Sequence, residues 1–127
     1  MNQLPRVCII GAGSSGIAVA KAMKDRGIPF DCFEKGDQVG GNWYFRNPNG
    51  MSAAYESLHI NTDSRLMEYR DYPMPEGTPD YPSHRVIMDY FNAYVDHFAL
   101  RESITFNTSV VHARRMDDGV WEVTLDS

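Results

Sequence analysis

The stretch that decides the fold is residues 6–43, "RVCIIGAGSSGIAVAKAMKDRGIPFDCFEKGDQVGGNW". The apolar run at 6–10 predicts a parallel strand that is covered on both faces. Apolar residues at helical spacing predict a helix over 14–26, and Gly27 is placed to cap its C-terminal end. Residues 29–33 predict a second strand. Strand, helix and strand within about 30 residues predict a right-handed βαβ unit.

The side chains of this unit are expected to divide between core and solvent. We expect Ile17, Ala20 and Met23 to face the sheet. The residues expected to point outward are Lys21, Lys24 and Asp25. Cys8 and Cys32 each fall within a predicted strand and lack the spacing of a redox or metal motif, so we expect two buried, reduced thiols.

Three glycines at G-x-G-x-x-G spacing give the unit its chemistry. Gly11 permits a tight turn out of the strand, Gly13 lets backbone approach a pyrophosphate, and Gly16 lets the helix lie close to the strand. The N-terminus of the helix presents free N–H groups and the positive end of its dipole. The spacing alone is a weak signal, but here a strand precedes it and a helix follows. The pattern therefore predicts a dinucleotide site.

An acidic residue indicates which dinucleotide fits. Glu34 follows the second predicted strand, 18 positions after Gly16. Its carboxylate can accept hydrogen bonds from both hydroxyls of an adenosine ribose and would repel a 2′-phosphate. The site should therefore take FAD or NAD rather than NADP. The alternative for Glu34 is a solvated charge at the end of a strand.

The rest of the chain predicts irregular segments, one long helix and a hairpin. Residues 55–62 suggest a short ordered stretch, and the proline-rich residues 71–82 predict an extended surface crossing. The strongest amphipathic pattern begins after Ser83, which is placed as an N-cap. Residues 104–106 predict a short strand, and the turn at 117–119 predicts a hairpin between two further strands.

Composition narrows the class of protein. The chain has 127 residues, 43% hydrophobic and 23% charged, which is ordinary for a globular domain. A net charge of −5 argues against nucleic acid or an anionic membrane as the main partner. No apolar run approaches the ~20 residues that span a bilayer, and no signal peptide is evident, so we expect a cytoplasmic protein. The four histidines lack metal-ligand spacing, so no metal site is predicted.

Several segments resemble the flavin-containing monooxygenases, which are class B flavin monooxygenases of the N,N-dimethylaniline monooxygenase type. "EKGDQVGGNW" is similar to the family segment E-[KR]-x4-GG-x-W. "YESLHINTDSRLMEYRDYPMP" and "YPSHRVIMDYFNAYVDHF" resemble the stretches that follow it, and "ITFNTSVVHARR" with "WEVTL" resembles the antiparallel insertion. The resemblance covers essentially the whole chain and is most specific over residues 1–43 and 55–74.

The resemblance implies an α/β fold: a Rossmann-like FAD-binding βαβ unit with a parallel sheet and an antiparallel β insertion. It also implies an oxidoreductase in which NADPH reduces FAD and a C4a-hydroperoxyflavin oxygenates a soft nucleophile, an amine nitrogen or a sulfide sulfur. The implied partners are a small-molecule substrate and dioxygen, with no nucleic acid and no membrane span, and a homodimer is left open. The alternatives are a Baeyer–Villiger-type flavin monooxygenase and a non-catalytic FAD-binding fragment.

The resemblance also assigns roles to residues of this chain. The pyrophosphate would lie on residues 11–15, the ribose on Glu34, the flavin beside Asn42 and Trp43, and the adenine against backbone at 110–111. Asn61 is implied as the catalytic position near the reactive edge of the flavin. The residues assigned to cofactor binding are Gly11, Ala12, Gly13, Ser14, Ser15, Gly16, Glu34, Lys35, Gly41, Asn42, Trp43, Asn61, Thr62, Val110 and Val111.

Two of these roles compete with simpler ones, and the family pattern is incomplete here. Trp43 could be an ordinary core aromatic, and Asn61 could be a turn residue, since "NTDS" has turn chemistry. We expect residues 1–127 to be the N-terminal part of an FAD-binding domain, because the family's NADPH domain has no counterpart in this chain. The NADPH site should thus lie mostly outside the chain, and the fragment alone should be inactive.

The expected parts of this domain follow the chain in order. The dinucleotide fingerprint occupies 1–35, the flavin-side loops 36–82, the helix 83–100, and the short strand with the β-hairpin insertion 104–127.

Overall fold

The fold is built on a βαβ unit, as predicted. The computed structural model describes residues 4–127, so the first three residues of the predicted unit lie outside the described part. Strand β1 (Val7–Ile10) leads into helix α1 (Ser14–Asp25), which returns the chain to strand β2 (Phe30–Phe33). The two strands are parallel. Gly27 follows α1 with φ +65°, the left-handed conformation of a C-terminal cap.

A third parallel strand extends the sheet beyond β2. Helix α2 (Ser64–Met67) and helix α3 (His84–His97) precede strand β3 (Ile104–Thr105). Strand β3 pairs with β2, which places β2 at the centre of the order β1-β2-β3. Ser83 is the N-cap residue of α3, but its side chain makes no capping hydrogen bond, so only the position of this cap was predicted correctly.

The chain closes with an antiparallel hairpin. Strand β4 (Ser109–Arg115) pairs with strand β5 (Trp121–Asp126), with a register shift between residues 110 and 112. Gly119 has φ +86° in the connecting turn, a conformation that glycine adopts without steric cost. A parallel sheet plus an antiparallel pair confirms the predicted α/β class with its β insertion.

The core lies between the sheet, α1 and α3. Apolar residues at helical spacing bring one face of each helix inward, which is why the sequence pattern predicted them well. The buried hydrophobic residues that these helices contribute are Ile17, Ala20, Ile87, Tyr90, Phe91, Tyr94 and Val95. Packing of these faces fixes the start of α1 above the ends of β1 and β2.

Strand β1 is not covered on both faces within residues 4–127, contrary to the sequence prediction. Ile10 is 63% exposed, and Cys8 is exposed as well. Cys32, on the central strand, is buried as expected. The apolar composition of β1 predicted burial correctly for Ile9, whereas Cys8 and Ile10 lie on the opposite face of the strand, which is exposed over the described residues.

Lys21 does not point into solvent, which corrects a second expectation. Its side chain is only 12% exposed and forms ion pairs with Asp25 and, at 3.0 Å, with Asp71. Its ammonium nitrogen lies 4.3 Å from the ring centroid of Phe98, a cation–π distance. Asp71 and Phe98 cover Lys21, which the helical pattern of α1 alone could not indicate, while Lys24 and Asp25 are exposed as expected.

The region between β2 and α3 is mostly irregular, as expected, with two differences. The predicted ordered stretch at 55–62 is reduced to one antiparallel bridge between His59 and Ser83. Helix α2 was not predicted, because "NTDS" suggested a turn; the Asp63 side chain accepts a hydrogen bond from Arg65 N and caps this short helix.

The described part of the chain contains neither a candidate membrane-spanning helix nor a candidate metal site. Over residues 4–127, no helix combines the length and the apolar character needed to cross a membrane. The same residues contain no cluster of three or more His, Cys, Asp or Glu side chains that could hold a metal ion.

Candidate dinucleotide-binding site

The turn between β1 and α1 has the geometry that its glycines predict. Gly11 has φ +96°, and its N–H donates to Phe33 O at 2.8 Å, so the chain leaves the sheet at once. A Cβ atom on Gly16 would lie 2.0 Å from Gly11 O, a distance that no side chain tolerates. Helix α1 therefore lies directly on the turn, and only glycine fits at position 16.

The first turn of α1 presents unused backbone donors. Ile17 N donates to Gly13 O at 3.1 Å and starts the helical ladder. Within residues 4–127, no acceptor pairs with the backbone N–H groups of Gly13, Ser14, Ser15 or Gly16. These donors and the positive end of the helix dipole favour an anion at this position.

Glu34 lies against this turn and is not a solvated charge. Its side chain is buried, with 5% exposure. Oε1 accepts a hydrogen bond from Ala12 N at 2.9 Å, and Oε2 accepts one from Gly36 N at 2.5 Å. Its backbone is held as well, because Glu34 N donates to Thr105 O and Thr108 N donates to Glu34 O. The carboxylate is thus fixed beside the turn, and each oxygen keeps further acceptor capacity for a ligand hydroxyl.

The glycine pair of the next loop packs onto the same turn. Gly40 N donates to Ala12 O at 3.0 Å. A Cβ atom on Gly41, which has φ +55°, would lie 3.1 Å from Gly13 Cα. The loop therefore approaches the turn backbone to backbone, and the two glycine motifs are in direct contact.

Asn42 and Trp43 lie in a short 3₁₀ turn, Gly41–Trp43, at the end of this loop. Asn42 Oδ1 accepts a hydrogen bond from Ala53 N at 2.7 Å, and Asn42 O accepts one from Ser52 Oγ at 2.7 Å. The indole of Trp43 is half-buried and packs against the core. Asn42 thus organises its own loop, and Trp43 is part core aromatic, while their flavin contacts stay predictions.

The remaining predicted residues lie on three other segments. Asn61 and Thr62 are exposed just before α2, and their side chains make no hydrogen bond within residues 4–127. Lys35 lines a surface cavity of about 330 Å³ together with residues of the hairpin. Val110 is half-buried and Val111 is exposed where the register of β4 shifts. The structure brings Gly11–Gly16, Glu34 and Gly41 into direct contact, and their binding roles stay predictions.

Two residues of the site were missed in the sequence. Gly36 supplies the N–H that holds one oxygen of Glu34, and the spacing Glu-x-Gly could have indicated it. The Tyr69 hydroxyl donates to Ser14 O at 2.5 Å. Tyr69 is 55 positions away along the chain, so no local signal could have placed it on the turn.

A parallel βαβ unit with a glycine turn, free helix N–H groups and a buried carboxylate defines a Rossmann-type dinucleotide-binding protein. The family described as "FMO-like: Flavin-binding monooxygenase-like" matches residues 4–127. The chain therefore belongs to the flavin-binding monooxygenase-like family.

Curated relatives agree with this assignment. The chain is 36% identical over 127 residues to "Flavin-containing monooxygenase 5" of Oryctolagus cuniculus. This alignment covers 95% of this chain and 24% of the relative. It is 33% identical over 128 residues to "Dimethylaniline monooxygenase [N-oxide-forming] 2" of the same species, covering 96% and 24%. The chain thus spans about a quarter of the length of the curated relatives it matches.

Solved structures share the fold. S-allyl-L-cysteine S-oxygenase from Allium sativum superposes with a TM-score of 0.87 at 27% identity, over 94% of this chain and 31% of that protein. The OTEMO complex with FAD and NADP gives 0.82 at 31% identity, over 97% and 22%. Cyclohexanone monooxygenase bound to epsilon-caprolactone gives 0.79 at 32% identity, over 97% and 24%.

Proposed function

We propose that this chain forms the N-terminal FAD-binding portion of an NADPH-using flavin monooxygenase that oxygenates amine nitrogen or sulfide sulfur. The observation that carries the proposal is the buried Glu34 carboxylate, held on the glycine turn by Ala12 N at 2.9 Å. Family membership and relatives named as flavin-containing and dimethylaniline monooxygenases support the reaction class. The division of the chain into fingerprint, flavin-side loops, helix and hairpin is part of this proposal.

The residues present fit FAD on grounds of their own geometry. A Cβ atom at Gly16 would fill the space in which the turn meets the helix, and the free N–H groups of the first helical turn suit a pyrophosphate. The further lone pairs of Glu34 suit the two ribose hydroxyls of adenosine, whereas a 2′-phosphate would be repelled by this fixed carboxylate. We therefore assign FAD to this site and NADPH to a second site outside the chain.

Each group of residues has a defined task in this proposal. The backbone N–H groups at residues 13–16 bind the pyrophosphate, and Glu34 orients the adenosine. Asn42 and Trp43 bound the flavin side, where a half-buried indole excludes water. Asn61 and Thr62 are exposed and have polar side chains that can hydrogen-bond a ring placed beside them. When bound, FAD supplies the redox and oxygen chemistry, and the protein supplies placement and exclusion of water.

The test uses the full-length protein that carries this chain. Purified protein should show the visible absorption of bound FAD, and anaerobic NADPH should bleach it. In air, a tertiary amine or a thioether should then yield its N-oxide or S-oxide with matching NADPH consumption. A folded, colourless protein that takes up no FAD would contradict the proposal.

A second candidate function is oxygenation of a ketone to an ester, the Baeyer–Villiger reaction. It is favoured by the likeness to cyclohexanone monooxygenase, which has 32% identity, against 27% for the S-oxygenase. Supplying the same full-length protein with cyclohexanone distinguishes the two: formation of a lactone with no amine or sulfide oxide would favour this candidate.

A further inference from the structure

A tyrosine outside the glycine motif holds the start of helix α1. The Tyr69 hydroxyl donates to Ser14 O at 2.5 Å. The backbone N–H of Tyr69 donates to the Tyr90 hydroxyl at 2.8 Å, and the Tyr90 hydroxyl donates to Tyr72 O at 2.5 Å. The Tyr69 ring packs against Tyr94 with centroids 4.4 Å apart. Burial raises the pKa of Tyr69, so its hydroxyl stays protonated and remains a donor.

The hydrogen bond from Tyr69 to Ser14 O affects one of the anion-binding N–H groups through the Ser14–Ser15 peptide group. Ser14 O and Ser15 N belong to the same planar unit, so fixing the oxygen also fixes the direction of the Ser15 N–H. A donor on the oxygen polarises the peptide and makes that N–H a stronger donor. Ser15 N is among the groups without an acceptor within residues 4–127. The tyrosine thus acts on a group that faces the candidate site.

A second contact anchors the same segment to α1. Asp71, two residues after Tyr69, forms an ion pair with Lys21 at 3.0 Å. An antiparallel bridge between Tyr69 and Tyr72 closes this segment into a tight turn. The turn therefore contacts α1 at two places, one at the first helical residue and one two turns further along. Two contacts restrain rotation of the segment and keep the hydroxyl aimed at Ser14 O.

We propose that Tyr69 is a positioning residue for pyrophosphate binding, which it strengthens through the Ser14–Ser15 peptide. This inference rests on the proposed function of the site. It goes beyond the glycine motif and Glu34, because Tyr69 itself need not touch the ligand. Its effect should appear only for ligands that carry the pyrophosphate.

The test compares Tyr69→Phe with Tyr94→Phe in the full chain. Both variants lose one hydroxyl from the same aromatic cluster, but it is the Tyr69 hydroxyl that donates to Ser14 O. Dissociation constants are measured for FAD, ADP and adenosine. Tyr69→Phe should weaken FAD and ADP about 1.5–4-fold and leave adenosine unchanged, since the lost bond strengthens the hydrogen bond from Ser15 N to phosphate by roughly 10–30%. Tyr94→Phe should leave all three unchanged.

A second measurement, made without ligand, tests the effect of Tyr69 on the Ser15 N–H directly. In ¹H–¹⁵N spectra of the chain, the Ser15 amide proton should move upfield in Tyr69→Phe and stay in place in Tyr94→Phe. An unmoved Ser15 resonance, or an equal loss of affinity for adenosine and ADP, would overturn the role of Tyr69. Wild-type full-length protein that binds neither FAD nor ADP would instead overturn the proposed function.

Discussion

Replacing Gly16 by alanine should damage the site through one steric contact. The new Cβ atom would lie 2.0 Å from Gly11 O and 2.9 Å from Gly11 C, and both atoms are backbone. Helix α1 must therefore retreat from the turn by roughly 1 Å. Overpacking of this kind costs up to ~3 kcal/mol, and the helix propensity of alanine returns up to ~1 kcal/mol. We expect the free energy of unfolding to fall by about 2 kcal/mol.

The same displacement should weaken FAD binding. Losing one hydrogen bond from an N–H group to a charged phosphate costs ~1.5–3 kcal/mol, so we expect a loss of affinity of at least about tenfold. The matched control is Gly27→Ala at the other end of α1. There a Cβ atom meets nothing within 4 Å, but φ is +65°, which costs alanine about 1–2 kcal/mol.

The two variants should thus lose similar stability in urea titrations and differ in FAD titrations. Equal FAD affinity in Gly16→Ala and Gly27→Ala, with both chains folded, would refute the reasoning.

Three further predictions concern other residues. Glu34→Gln places an amide NH₂ against a backbone N–H, so the chain should lose about 1–3 kcal/mol of stability and most of its affinity for adenosine, measured by urea unfolding and calorimetry; full retention of both would contradict the site. Cys8 should react with a thiol reagent at pH 8 well before Cys32, because burial raises the pKa of the Cys32 thiol to about 11. The free energy of unfolding should fall as the pH rises from about 9 to about 11, because the Cys32 thiol ionises at lower pH in the unfolded chain than in the folded one. Equal labelling rates of the two thiols would count against the burial of Cys32. Asn61→Ala in the full-length protein should keep FAD but consume NADPH without matching product; unchanged coupling would remove Asn61 from the catalytic role.

The local parts of the fold were predictable from sequence. The spacing of apolar residues predicted α1 and α3, and Asp-Asp-Gly predicted the hairpin turn, because each signal lies within a few residues of its structure. The glycine spacing and Glu34 predicted the turn between β1 and α1, because this combination of residues recurs in dinucleotide-binding turns.

Long-range contacts were not predictable in the same way. Lys21 reads as a solvent-facing helical residue, and its contacts with the distant Asp71 and Phe98 explain why it is covered. Ile10 reads as a core residue, but it lies on the same exposed face of β1 as Cys8, opposite the buried Ile9. Tyr69 reaches Ser14 O across 55 positions, so its role in the site depends on tertiary structure alone.

The central claim is that the glycine turn and Glu34 together bind an adenine dinucleotide. The most direct measurement is a titration of the wild-type chain with FAD and with FMN, followed by flavin fluorescence. FMN keeps the isoalloxazine ring and one phosphate but lacks the adenosine that Glu34 would hold. We predict saturable 1:1 binding of FAD, with FMN at least ~100-fold weaker, since two charge-assisted ribose hydrogen bonds are lost. FMN binding as tight as FAD, or a folded chain that binds no FAD, would contradict the account.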